Sequence, residues 1–81
     1  MKCSVELSYY PLTDDFKPHI RAFIADLQKH DNIKVEPGSI STRVFGEYTE
    51  VMNILTEAMG RAFKGPAASF VIKVLNLDRD K

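Results

Sequence analysis

Apolar residues along this chain follow a period of two, then 3.6, then two twice over, then 3.6, then two again. That order of periods is the strongest constraint in the sequence, because a period of two builds a half-buried strand and 3.6 builds an amphipathic helix. Cys3, Val5, Leu7 and Tyr9 fall on one side of the first segment, with Ser4, Glu6, Ser8 and Tyr10 on the other. Pro11 lacks an amide proton, so this strand is expected to end there. Phe16, Ile20, Phe23, Ile24 and Leu27 then recur at helical spacing. Thr13, Asp14 and Asp15 are expected to cap that helix, Pro18 to fit its first turn, and His30-Asp31-Asn32 to close it.

Residues 33–47 read as two strands joined near Pro37-Gly38, a pair suited to the middle of a type II turn. Ile40, Thr42 and Val44 are expected to face inward, and Ser41, Arg43 and Phe45 outward. Thr49 is placed to cap a second helix with an apolar stripe of Val51, Ile54, Leu55, Ala58, Met59, Ala62 and Phe63. Glu57 and Arg61 stand four apart on that helix, the spacing of an ion pair. Gly65-Pro66 stops it. The last strand, residues 68–77, is apolar on both sides: Phe70, Ile72 and Val74 on one, Val71, Leu75 and Leu77 on the other. Such a strand is expected at the centre of a sheet with its second face covered.

The resulting order is strand, helix, strand, strand, helix, strand, with helices long enough to join strands lying parallel as neighbours. It predicts an α+β fold, a ferredoxin-like βαββαβ sandwich formed by residues 1–81 as one domain. A four-stranded antiparallel sheet would carry both helices on one face, leaving the other open. Ser4, Glu6, Ser8 and Tyr10 would share that open face with Val71, Lys73, Leu75 and Leu77. Such a surface invites a partner sheet or a ligand.

Composition narrows the function classes. Eleven basic residues balance eleven acidic ones in 81 residues, which argues against a nucleic-acid or anionic-membrane binder. A chain this short buries roughly 60–65% of its unfolded surface, so burial by self-association would add materially to its stability. No run approaches the ~20 apolar residues that cross a bilayer, and no signal segment is visible. A single cysteine suits a reducing cytoplasm.

Few residues look catalytic. His19 and His30 are separated by ~16 Å along a helix, too far to share a metal ion. Cys3 reads as a core residue, Asp14-Asp15 as a cap, and Asp78-Arg79-Asp80-Lys81 as a solvated tail. The loop after the first strand is acidic, unlike the glycine-rich, arginine-bearing loop of acylphosphatases. No metal site or catalytic residue is expected. Tyr9, Tyr10, Phe45 and Tyr48 offer aromatic faces, and Ser8, Ser41, Thr42 and Glu47 offer polar groups, a set able to hold a flat heterocycle. Ordinary strand residues would look the same.

Three segments carry a resemblance. Ser8-Tyr9-Tyr10-Pro11-Leu12 is similar to the Ser-x-Tyr-Pro-Leu signature of the YkoF-like thiamine-binding family. Thr42-Arg43-Val44-Phe45-Gly46-Glu47, followed by Glu50-Val51, resembles its Gly-Thr-x-Ile-x-Gly-Glu segment. Leu77-Asp78-Arg79-Asp80-Lys81 resembles its Asp-Asp-Arg-x-Asp-Lys stretch. Ser41 stands where that family usually has Gly, and Phe45 where it often has an acidic or amide residue. The resemblance implies a non-catalytic protein that binds thiamine or its hydroxymethylpyrimidine moiety for salvage, transport or sequestration, with no required cofactor. It implies Ser8, Tyr10, Thr42 and Glu47 as ligand-binding residues. It also implies a homodimer or homotetramer assembled through sheet surfaces. A structural or regulatory module that assembles through its open sheet face is the alternative, and a small hydrolase a third reading.

Overall fold

The structure, a computed structural model, describes residues 1–80. Strand β1 (Lys2–Pro11) is followed by helix α1 (Lys17–Gln28), strands β2 (Ile33–Pro37) and β3 (Thr42–Glu47), helix α2 (Tyr48–Ala62) and strand β4 (Ala68–Leu75). The four strands form one antiparallel sheet in the order β2-β3-β1-β4. This is the expected ferredoxin-like arrangement. Strands joined by a helix are not neighbours, however: β3 lies between β1 and β2, and β1 lies between β3 and β4.

The alternation of β1 sets the inner face. Cys3, Val5, Leu7 and Tyr9 are buried against Phe23 and Leu27 of α1 and Val51, Ile54, Leu55 and Ala58 of α2. Register aligns Val35, Val44, Val5 and Val74 in one row across all four strands. Val5 and Val44, the fully buried members of that row, contribute roughly 1.5–3 kcal/mol each. At one end, aromatic rings close the core. Tyr9 stacks on Phe70 with centroids 4.4 Å apart, and Phe63 meets Phe70 edge-on at 5.4 Å.

Neither helix uses the cap its sequence suggests. Helix α1 starts after Phe16, with no side-chain cap and no acid in its first turn, so Asp14 and Asp15 remain exposed outside it. Pro18 in that first turn has no amide proton, which leaves one fewer donor for a carboxylate to satisfy. Phe16 lies outside the helix and is exposed rather than part of the stripe. In α2 the flanking residue is Glu47, not Thr49, which falls inside the helix. The Tyr48 amide, first in the helix, donates to the Met1 carbonyl at 2.8 Å, so backbone just ahead of β1 satisfies one of the free amides at this end.

Three further expectations are corrected. No glycine has positive φ, which excludes a type II turn at Pro37-Gly38. Pro37 pairs with Thr42, the Gly38 amide donates to the Ser41 carbonyl at 3.0 Å, and Ile40 projects from the tip with 89% of its surface exposed. Arg61 does not settle on Glu57. It reaches across to α1, with Nε 2.7 Å and an Nη 3.1 Å from the Asp26 carboxylate. Finally, β4 is an edge strand, not a central one. Its apolar outer residues are left open, Val71 by 59%, and β1, polar on its outer side, takes the centre.

Candidate functional site

Both helices pack on one face of the sheet, so the opposite face decides what the molecule can bind. Side chains there form rows across the strands. The first row runs Lys34, Phe45, Ser4, Leu75, from β2 through β3 and β1 to β4. The next runs Glu36, Arg43, Glu6, Lys73, with charge alternating at every step. Arg43 lies 3.2 Å from Glu36, and Lys73 lies 3.4 Å from Glu6. Beyond them stand Ser8 beside Val71, then Tyr10 beside Ser69.

Residues 76–80, though largely exposed, are not a free tail, and Lys81 lies outside the described residues. After β4, residues 76–80 turn back and cross the open face as a strap along the first row. Ser4 Oγ donates to the Leu77 carbonyl at 2.6 Å and accepts from the Arg79 amide at 2.8 Å. At the far edge, Lys34 Nζ bonds Asp80 Oδ1 at 2.7 Å. Phe45 retains only 6% exposure and Ser4 only 8%, although both point away from the helices. A serine on the open face suits this role because one hydroxyl both donates and accepts.

Between the strap and the charged row lies a cavity of about 200 Å³, lined by Ser4, Glu6, Arg43, Phe45, Lys73 and Arg79 among others. The Ser41 hydroxyl, 2.9 Å away, and then Lys73 hold the Glu6 carboxyl below its usual range. Bonding to Asp80, then to Glu36, pushes the Lys34 ammonium up. An aromatic wall, an ionised acceptor and several cationic donors therefore converge on one cleft. It can hold a small planar molecule and read its polar edge.

The four residues expected at a site are not assembled into one. Ser8 and Tyr10 lie on the open face, Tyr10 with 53% exposure, while Thr42 is buried on the helix side opposite Leu7. Ser8 and Thr42 both line a small cavity of about 90 Å³ under the β2–β3 hairpin. Glu47 is at the other end of β3, roughly 16 Å from Thr42 at ~3.3 Å per residue, where it bonds the Met1 amine at 3.2 Å. A second groove, about 210 Å³, opens between the helices beside Tyr9, His19, Asp26 and Arg61, but its acid and guanidinium are bonded to each other. Cys3 is buried and its thiol is pushed up by that burial. Among the described residues no group of three or more His, Cys, Asp or Glu side chains could hold a metal ion, and no helix is long and apolar enough to cross a membrane.

The alternation of β1 and β4 places Ser4, Glu6 and Lys73 on the open face without marking them as a site, and Arg79 falls outside that pattern. The signal for Ser4 was a small hydroxyl in the most covered stretch of β1. For Arg79 there was only the mixed charge of the tail.

Comparison with known proteins supports the fold. No protein-family model matches the chain, and no curated protein matches it. Among solved structures, protein SP2199 from Streptococcus pneumoniae is 27% identical with a TM-score of 0.88, covering 98% of this chain and 90% of its own. A protein from Thermotoga maritima provisionally named for thiamine biosynthesis/salvage is 20% identical, with a TM-score of 0.84 over 95% of this chain and 85% of that one. The hypothetical protein MJ1052 of Methanocaldococcus jannaschii is 23% identical, with a TM-score of 0.81 over 99% and 84%.

Proposed function

We propose that this chain is a non-catalytic binding protein, of the YkoF-like kind, for thiamine or its hydroxymethylpyrimidine moiety, acting in salvage, transport or sequestration in the cytoplasm. The observation that carries the reading is the strap-roofed cleft on the sheet face, with Phe45 in its wall and the ionised Glu6 carboxylate beside it. A pyrimidine ring lies against Phe45, its exocyclic amine donates to Glu6, and Arg43 donates to a ring nitrogen. The three sequence segments that resemble the family, and a fold shared with a protein named for thiamine biosynthesis/salvage, support the choice of ligand. In this reading the ligand-binding role moves from Thr42 and Glu47 to Glu6, Arg43 and Phe45. Ser8 and Tyr10 flank the same face.

Titration calorimetry with hydroxymethylpyrimidine and with thiamine tests it. Binding of either in the micromolar range is expected, weakened about tenfold (~1.4 kcal/mol) by Glu6→Gln. Absence of heat for both at millimolar concentration rejects the reading.

A second reading, self-assembly, is favoured by a separate observation. Strand β4 offers an unpaired edge of eight residues with Val71, Val74 and Leu75 exposed around it. The other edge, β2, is shorter, ends at Pro37 and carries Lys34 and Glu36. Sedimentation should show a dimer or tetramer that Val71→Lys converts to monomer. A monomeric wild-type chain at tens of micromolar removes this reading.

A further inference from the structure

The charge and size of the sheet-face cleft specify its ligand further than the proposed function does. We propose that the cleft takes a single aromatic ring bearing a phosphate monoester, with Arg79 of the strap as the contact to the phosphate. The inference rests on the reading of the cleft as a ligand site.

Three cations, Arg43, Lys73 and Arg79, line the cleft against one acid, Glu6. The protein as a whole has a formal net charge of zero, so this surplus is local. Arg43 and Lys73 are bonded to Glu36 and Glu6. The Arg79 guanidinium makes no ion pair among the described residues. The strap's own acids are engaged elsewhere: Asp80 is bonded to Lys34, and Asp78 Oδ1 accepts the Asp80 amide at 3.1 Å. The Arg79 backbone is meanwhile fixed by the 2.8 Å bond from its amide to Ser4 Oγ. Arg79 lines the cleft with its backbone anchored and its guanidinium without an ion pair among the described residues, and a guanidinium fork matches phosphate oxygens. A phosphate monoester carries about −1.5 to −2 at pH 7. Such a charge fits this lining, whereas the cationic ring of thiamine opposes it.

Size points the same way. Pockets for drug-sized ligands begin near ~300 Å³, and this cleft holds about 200 Å³. That accommodates one ring and one substituent rather than two linked rings.

The test is a calorimetric series with hydroxymethylpyrimidine, its phosphate monoester, thiamine and inorganic phosphate, on the wild-type chain and on Arg79→Gln. The phosphorylated pyrimidine should bind at least tenfold tighter than the free one, with an advantage that shrinks at high salt. Arg79→Gln should erase that advantage and leave free-pyrimidine affinity within twofold. Equal affinity for the two pyrimidines, or an advantage that survives Arg79→Gln, overturns this inference and leaves the underlying reading intact. Inorganic phosphate binding as tightly as the pyrimidine phosphate overturns the ring requirement. Thiamine binding tighter than the pyrimidine phosphate overturns both the size and the charge argument. If none of the four binds, the reading of the cleft as a ligand site falls with it.

Discussion

The hydroxyl of Ser4 bonds the carbonyl of Leu77 across 73 positions of sequence, at 2.6 Å, and so fastens the end of the chain to its beginning. Because the same oxygen also receives the Arg79 amide, one atom fixes the strap that roofs the cleft. Ser4→Ala should therefore free the strap while leaving the sheet intact. The Arg79 amide should exchange with solvent several-fold faster, and stability in urea should fall by ~1 kcal/mol. Unchanged protection of that amide shows that the strap is held by something else.

Two glycines make opposite predictions. A Cβ at Gly38 would lie 2.8 Å from the Ser41 carbonyl oxygen, closer than atoms can sit, so Gly38→Ala must distort the β2–β3 hairpin. A Cβ at Gly60, inside α2, would meet nothing within 4 Å. Gly60→Ala should stabilise the helix by ~0.5–1 kcal/mol, and Gly38→Ala should destabilise by ~1 kcal/mol or more. Chemical denaturation of the two variants side by side gives the signs, and a destabilised Gly60→Ala contradicts the packing described for α2.

The bond from Arg61 to Asp26 joins α2 to α1, and each partner is partly open to water. A double-mutant cycle with Arg61→Met and Asp26→Asn should give a coupling of ~0.2–1 kcal/mol, as for other exposed pairs. Glu57→Gln should leave stability unchanged, because Arg61 is committed to α1. A larger loss for Glu57→Gln than for Asp26→Asn would place the guanidinium on its own helix after all.

Acid and alkali should act on different ends of the open face. The Glu6 carboxyl is lowered in the folded chain, so its ionised form favours folding above the unfolded value near ~4.3. That contribution is lost as pH falls through the lower folded value. The Lys34 ammonium is raised, so its contribution is complete below its unfolded value near ~10.4 and disappears as pH rises through the folded one. Urea midpoints of the wild type should converge on those of Glu6→Gln at low pH, and on those of Lys34→Met in strong alkali. Parallel curves at both extremes show that neither ionisation favours the fold.

The elements were legible in the sequence where one periodicity stood alone. Cys3 to Tyr9 could only be a half-buried strand, and the α2 stripe from Val51 to Ala58 could only be a helix. Capping is hard to read because side chains advertise acceptors while the backbone supplies them unannounced: the Tyr48 amide finds the Met1 carbonyl, and α2 starts ahead of Thr49. The place of β4 was misread because an apolar second face signals coverage without saying by what. In this chain Val71 keeps 59% of its surface open. The cleft was only half legible. Its floor follows from the alternation of β1 and β3, but its roof depends on a strap that returns across the sheet, and no local pattern records a return.

Strand β1 precedes the other strands in the chain yet sits between β3 and β4, and β4 with its strap comes after them. Until residue 75 is available, the first strand has a bonded neighbour on one side only, and the outer face of its Ser4 lacks the segment that covers it. Pairing between β1 and β4 joins segments more than 55 residues apart, a non-local contact that forms slowly. Closure of this sheet therefore waits on residues 68–80, and until they pair with β1 an aggregation-competent sheet edge stays exposed.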